Sequence, residues 1–187
     1  MATATIDRSK EWTVEDFLSL EEKNTFCEII NGELIMSPSP TPYHQIVLGN
    51  LYDILKSYSK NQEKGSTVFF APLDLFLDDR NVFQPDLIYI SEQNKNIITD
   101  RGVEGVPDLI VEIISPSNQF ADRNKKKKTY QQMGVGEYWI VDPANKTLEV
   151  YYKGQLDTDT PTLYVVESGT VTSQILIGLQ FGLEEIF

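Results

Sequence analysis

Residues 109–114 read Leu-Ile-Val-Glu-Ile-Ile, an unbroken apolar run with one carboxylate inside it. A half-exposed strand alternates apolar and polar side chains, whereas continuous apolar character marks a strand covered on both faces. The chain must therefore build a layer on each side of this segment. Alternation sets Glu112 on the same face as Ile110 and Ile114. A carboxylate left alone there would pay a large burial penalty or give up its charge. Either a structural partner, such as a salt bridge or a cluster of N–H groups, or a metal ion must compensate it.

The elements around this strand follow from local signals. Thr13 with Glu15 and Asp16 predicts a capped helix over 13–22 that sends Phe17, Leu18 and Leu20 inward. Segments 26–30 and 33–36 flank Asn31-Gly32, a pair suited to a type I′ hairpin turn. After a proline-rich break, Ile46, Val47, Leu51, Ile54, Leu55 and Tyr58 recur at helical spacing, predicting a long helix over 43–59. Strands are expected over 67–77 and 82–90, then at 108–114. A second long helix is expected over 118–133, ending at Gly134. Strands at 137–141 and 147–152 follow, then a hairpin of 163–167 with 171–175, while 178–187 fits one helical turn. This order describes an α/β fold, more strictly α+β with a central mixed sheet flanked by a long helix on each side.

With 187 residues, one domain is expected, its core at about 13–152 and a C-terminal hairpin extension over 153–187. No apolar run approaches the ~20 residues that cross a bilayer, and the first ten residues are polar, so a cytoplasmic protein without membrane contact is expected. Cys27, the single cysteine, sits among apolar residues and reads as a buried structural thiol. The net charge of −12 argues against coating nucleic acid by charge alone. Any such contact must be local, and Arg123 with Lys125, Lys126, Lys127 and Lys128 is the one basic block that could make it.

Two further acids repeat the pattern of Glu112. Asp86 follows Pro85, and Asp74 lies just after Pro72, each beside an apolar strand. If the three strands are neighbours, the carboxylates converge and their repulsion calls for a divalent cation; all-oxygen ligation selects Mg2+ or Mn2+. On the helix that follows Glu112, Asp122, Lys126 and Tyr130 fall at i, i+4 and i+8 on one face. Lys125, Lys127 and Lys128 point elsewhere, toward phosphate or only toward solvent. His44 is the sole histidine, which excludes a histidine metal cluster, and it can serve the helix end or a substrate. Glu28 and Glu33 are expected as exposed strand charges, with an auxiliary metal role for Glu28 open. No phosphate-cradling glycine motif is present, so no nucleotide cofactor is implied.

Taken together, Pro85-Asp86, the run 107–117, Asp122 with Lys126 and Tyr130, and the segment 134–143 (Gly-Val-Gly-Glu-Tyr-Trp-Ile-Val-Asp-Pro) resemble a bacterial family of restriction-endonuclease-like proteins in the PD-(D/E)XK nuclease superfamily. The resemblance spans roughly residues 13–152. It implies a restriction-endonuclease-like core that binds Mg2+ and hydrolyses phosphodiester bonds in DNA. Asp86 then matches the acid of the PD element and Glu112 that of the (D/E)XK element. Ile114 stands where that motif has lysine, and Lys126 on the next helix matches the lysine instead. Asp86, Glu112 and the Ile113 carbonyl would hold the metal, Lys126 would act in catalysis, and Lys125, Lys127 and Lys128 would meet DNA. Asp74, Glu28, His44, Asp122 and Tyr130 stand as auxiliary positions, and a homodimer would suit a two-stranded substrate. Two other readings stay open. One is a nuclease-fold binding module whose chemistry has lapsed. The other is an interaction domain whose acids are satisfied by the four arginines, Arg8, Arg80, Arg101 and Arg123.

Overall fold

The computed structural model describes residues 10–20, 27–62, 64–115, 119–154 and 160–187. The first half of the chain forms α1 (Val14–Leu18), β1 (Cys27–Ile30), β2 (Glu33–Met36), α2 (Pro42–Asn61), β3 (Thr67–Phe70), β4 (Leu75–Asp78), β5 (Asn81–Phe83) and β6 (Leu87–Ile90). Then come β7 (Ile98–Thr99), β8 (Gly102–Glu104), β9 (Leu109–Ile113) and a π-helical turn (Ala121–Lys126) that runs into α3 (Lys127–Met133). The remainder is β10 (Glu137–Asp142), β11 (Thr147–Tyr152), β12 (Leu163–Val166), β13 (Thr170–Thr172), β14 (Gln180–Gly182) and a final 3-10 turn (Leu183–Glu185).

Two six-stranded sheets carry the fold in place of the one expected, ordered β2-β1-β5-β4-β8-β7 and β12-β11-β10-β9-β6-β3. Both are mixed. β9 runs parallel to β10 and antiparallel to β6, while β4 runs parallel to β8 and antiparallel to β5. The strands expected at 67–77 and 82–90 each divide between the sheets. Pro72 and Pro85 lack the N–H that a continuous ladder requires. At these two breaks the chain leaves the second sheet after β3 and returns to it at β6. The breaks lie side by side, with Ala71 N donating to Asp86 O at 3.1 Å.

β9 is buried along its whole length, as its composition requires. Leu109, Val111 and Ile113 join Trp139, Val141 and the α2 residues Val47, Leu51 and Leu55 in one apolar cluster. On the opposite face Ile110 and Ile114 join Tyr130, Tyr138, Phe83 and Leu75, which closes the space between the two sheets. A third cluster seats Trp12 and Phe17 against Cys27, Ile29 and Phe76 on the outer face of the first sheet.

Local signals account for most boundaries. Thr13 and Asp16 form a reciprocal capping box, and the helix stops at Leu18 because Ser19 caps it; residues 21–22 of the expected helix lie outside the described residues, as does Phe26 of the expected strand. Asn31 and Gly32 both adopt positive φ, 52° and 80°, as a type I′ turn demands. Gly134 closes α3 at φ 83°.

The hairpin expected between 163–167 and 171–175 does not form. β12 instead extends the second sheet by pairing with β11, whose edge is otherwise unpaired, and β13 pairs with β14. The C-terminal residues are thereby drawn into the core: Leu176, Leu179, Phe181, Leu183 and Ile186 all belong to the cluster under α2.

Candidate active site

The seam between the two sheets collects the acids. Glu28 comes from β1, Asp86 from the return crossing before β6, Glu112 from β9, and Asp122 with Lys126 from the π-helical turn. All five line one pocket of about 310 Å3, together with His44 from the first turn of α2. Lys126 is only 3 % exposed. Its ammonium lies 2.9 Å from Glu28 Oε1, 3.0 Å from Glu112 Oε1 and 3.2 Å from Asp122 Oδ1. Tyr130 OH donates to Glu112 Oε1 at 3.0 Å, so the helical face read from the sequence meets the strand acid directly.

A second group stands beside this one. Asp86 Oδ2 accepts from the Ile113 amide at 2.7 Å. His44 Nε2 lies 3.2 Å from the same oxygen and 3.0 Å from the Ile113 carbonyl, so its N–H bridges two oxygens. This fixes the tautomer with a proton on Nε2. Burial disfavours the charged imidazole, but the hydrogen bond and charge of Asp86 outweigh it and raise its pKa.

Four carboxylates therefore face one lysine, and the charge does not balance. Burial pushes the Glu112 carboxyl well above its usual range; Lys126 opposes this, while Asp122, Glu28 and Asp86 reinforce it. For Lys126, burial disfavours the ammonium, yet Glu112, Glu28 and Asp122 hold its pKa well above the ordinary value. Asp122 is raised to about 6, chiefly by burial, against the pull of Lys126. Between roughly pH 4 and 6 the folded protein thus retains a proton at Asp122 that the unfolded chain has released, and stability falls as pH rises through that window. We expect Asp122→Asn to remove about 2 to 3 kcal/mol of that decline in metal-free protein. Urea unfolding at pH 4 and pH 7 measures it, and a variant keeping the wild-type slope would refute the assignment.

Whether this set suits a divalent cation is decided by its oxygens. Asp86 Oδ1 and Glu112 Oε2 accept no hydrogen bond among the described residues, and both side chains share the pocket with Ile113. Among those residues, His44 Nδ1 and Gln84 Oε1 are buried without a hydrogen-bond partner, Asp122 Oδ1 has the Lys126 ammonium at 3.2 Å, and all three belong to residues of this pocket. Surplus negative charge, hard oxygen donors and unsatisfied polar atoms at one place fit a hydrated Mg2+ or Mn2+. No three acid or imidazole side chains among the described residues make a cage on their own. Two carboxylates and a carbonyl suit a metal that keeps several waters.

Some sequence expectations need correction. Glu28 is buried rather than exposed, because β1 is an interior strand paired to both β2 and β5; Glu33, on the edge strand β2, is exposed as expected. Asp74 does not join the other acids, since it lies in the crossing between β3 and β4 and receives Gln84 Nε2 at 2.8 Å. The basic block does not form one patch. Arg123 pairs with Glu149, Lys125 reaches Glu33 at 2.6 Å, the Lys127 ammonium sits over the Tyr151 ring, and Lys128 is exposed. Among the described residues Arg80, Arg101 and Arg123 pair with acids outside the pocket, while Arg8 lies outside the described residues. Sequence reasoning missed Gln84 and Glu137. The signal for Glu137, an acid opening an apolar strand, was the one that singled out Glu112.

Fold and site together define a restriction-endonuclease-like protein with a buried carboxylate–lysine centre at a sheet seam. The chain belongs to the Uma2 family, described as "Putative restriction endonuclease", whose profile matches residues 14–184. It is 28% identical over 150 residues to a Synechocystis protein described as uncharacterized, covering 78% of this chain and 82% of that one. Its fold is similar to a crystal structure from Anabaena variabilis titled a "putative nuclease belonging to DUF820", with a TM-score of 0.76 and 23% identity. That likeness covers 94% of this chain and 97% of the other. No helix among the described residues is long and apolar enough to cross a membrane.

Proposed function

We propose that the chain is a metal-dependent endonuclease that hydrolyses phosphodiester bonds in DNA. The observation that carries this reading is the meeting of Asp86, Glu112 and Ile113 in one pocket, with an unpartnered Gln84 amide oxygen and a lysine held among acids. Family membership supports the nuclease class. Asp86, Glu112 and the Ile113 carbonyl would hold the ion. A bound Mg2+ or Mn2+ would polarise the scissile phosphate and lower the pKa of a water it carries.

The chain's own groups do the rest. Lys126 offsets the charge of three acids and opposes the protonation that burial favours at Glu112. Tyr130 orients Glu112 through Oε1, leaving Oε2 for the pocket. The Ile113 amide fixes Asp86 in the same way, and the His44 Nε2–H bridges the Asp86 carboxylate at 3.2 Å and the Ile113 carbonyl at 3.0 Å. A homodimer would offer two such pockets to the two strands of a duplex.

The test is cleavage of plasmid and oligonucleotide DNA with Mg2+ or Mn2+, with chelator as control, beside calorimetric titration of the metals. Asp86→Asn should lose at least about tenfold in metal affinity while keeping its fold. Unchanged affinity would sink the ligand assignment. One observation favours a lapsed binding module instead: Lys126 spends its three protons on carboxylates, and the neighbouring lysines are largely engaged elsewhere. DNA binding without metal-stimulated cleavage would decide for that reading.

A further inference from the structure

Gln84 is a pocket residue that neither the charge pattern nor the sequence motif accounts for. It precedes Pro85-Asp86 at the return crossing, and both Gln84 and Asp86 line the pocket. Its backbone N–H donates to Glu28 Oε1 at 2.9 Å, which ties the crossing to β1. Its side-chain Nε2 donates to Asp74 Oδ1 at 2.8 Å. That bond settles which end of the amide is which, because the reverse orientation would set two acceptors against each other. The amide oxygen is then left buried without a hydrogen-bond partner.

A buried amide oxygen is an acceptor only, and leaving it unmatched is costly. The pocket it lines also holds Glu28, Asp86 and Glu112, acceptors themselves when ionised, and Lys126, whose ammonium is engaged by Glu28, Glu112 and Asp122. Such an oxygen takes a hydrogen-bond donor or a hard cation, and beside surplus carboxylates a cation, with the waters it polarises, also offsets their charge. We propose that Gln84 is a further oxygen ligand of the cation site, touching a divalent ion directly or through one of its waters, and that Asp74 is the positioning residue that holds the amide in that orientation. This inference rests on the metal-dependent reading above. It gives Asp74 a place in the site without contact to the pocket: the acid acts through Gln84.

The test is calorimetric titration of Mn2+ into metal-free wild type, Gln84→Leu, Asp74→Leu and Asp74→Asn, with melting of each protein in chelator. Leucine keeps the volume of Gln84 and removes its oxygen, so affinity for Mn2+ should fall about tenfold or more, in the range typical of lost outer-shell partners. Asp74→Leu frees the amide and should weaken binding by a smaller factor. Asp74→Asn still offers an acceptor to Nε2 and should bind nearly as the wild type does. Melting temperatures in chelator separate a ligand role from a structural one. Gln84→Leu should melt close to wild type there and gain less from added Mn2+. Wild-type affinity in Gln84→Leu overturns the inference and leaves the metal site standing. Failure of the wild type itself to bind Mn2+ overturns both.

Discussion

Replacing Lys126 by methionine should lower the single-turnover cleavage rate by about a hundredfold or more, the scale of a lost electrostatic group. It should also destabilise the protein by about 3 to 5 kcal/mol, as breaking a buried ion pair does. Both effects share one cause. Methionine keeps most of the stem volume but leaves Glu28, Glu112 and Asp122 facing one another without the ammonium that now touches all three. The acids must then take up protons, and a protonated Glu112 is a poor ligand. The loss of stability should therefore be greater at pH 8 than at pH 5, since acid supplies the missing positive charge. Exposed Lys128 is the internal control. Its alanine variant should keep the rate and at most weaken DNA binding in a salt-dependent way. Urea unfolding at the two pH values and single-turnover kinetics at saturating DNA read the two effects separately. A Lys126→Met protein as stable at pH 8 as the wild type would show that the three contacts contribute nothing net. Equal rate losses at Lys126 and Lys128 would reduce the lysine to part of a general field.

Glu137→Ala should be the most damaging change outside the pocket, with a cost of about 4 kcal/mol or more. Glu137 opens β10 and is fully buried. Its Oε2 accepts from Trp139 Nε1 at 2.9 Å and Ser173 Oγ at 2.8 Å. Its Oε1 accepts from the amides of Gln174 at 2.5 Å and Ile175 at 3.3 Å. Alanine would leave the buried Trp139 indole N–H without its acceptor and take the carboxylate from Ser173 Oγ and from the half-buried hydrogen bonds of the Gln174 and Ile175 amides. Glu137→Gln keeps one acceptor but sets an amide N–H2 against two donors, so it should fall between alanine and wild type. Denaturant unfolding gives the total, and hydrogen exchange at Gln174 and Ile175 gives the place. If Glu137→Ala costs less than about 1 kcal/mol, the carboxylate is not what anchors residues 173–175 to the sheet.

The two residues at the heart of the site were legible for different reasons. Glu112 stood out because an acid in a fully apolar strand admits few physical explanations, and Lys126 because helical phase separates it from its basic neighbours. That phase survives the π-helical turn, as the Asp122–Lys126 contact and the Tyr130–Glu112 hydrogen bond demonstrate. Glu28 was not legible in the same way. Its burial depends on β5, some fifty residues later, closing the far side of β1, and no local pattern announces that pairing. The proline breaks at 72 and 85 were visible, but a proline only ends a ladder. It does not say that the next strand joins a different sheet, which is why one sheet was expected and two are present. The C-terminal pairing failed for a similar reason: turn residues favoured a hairpin, whereas the open edge of β11 offered β12 a better ladder.

The adjacent crossings at 71–74 and 84–86 have a consequence for how the protein reaches its native state. They oblige the chain to commit residues 75–83 to one sheet while the segments on either side belong to the other. The site's contacts are correspondingly remote in sequence, with Lys126 meeting Glu28 across 98 residues and His44 meeting Ile113 across 69. Closing loops of that size is entropically slow and comes after local helices and hairpins. The carboxylates and their lysine are thus expected to meet late on the route to the native state, so that a nascent or partly unfolded chain would carry the acids dispersed and hydrated rather than gathered at one centre.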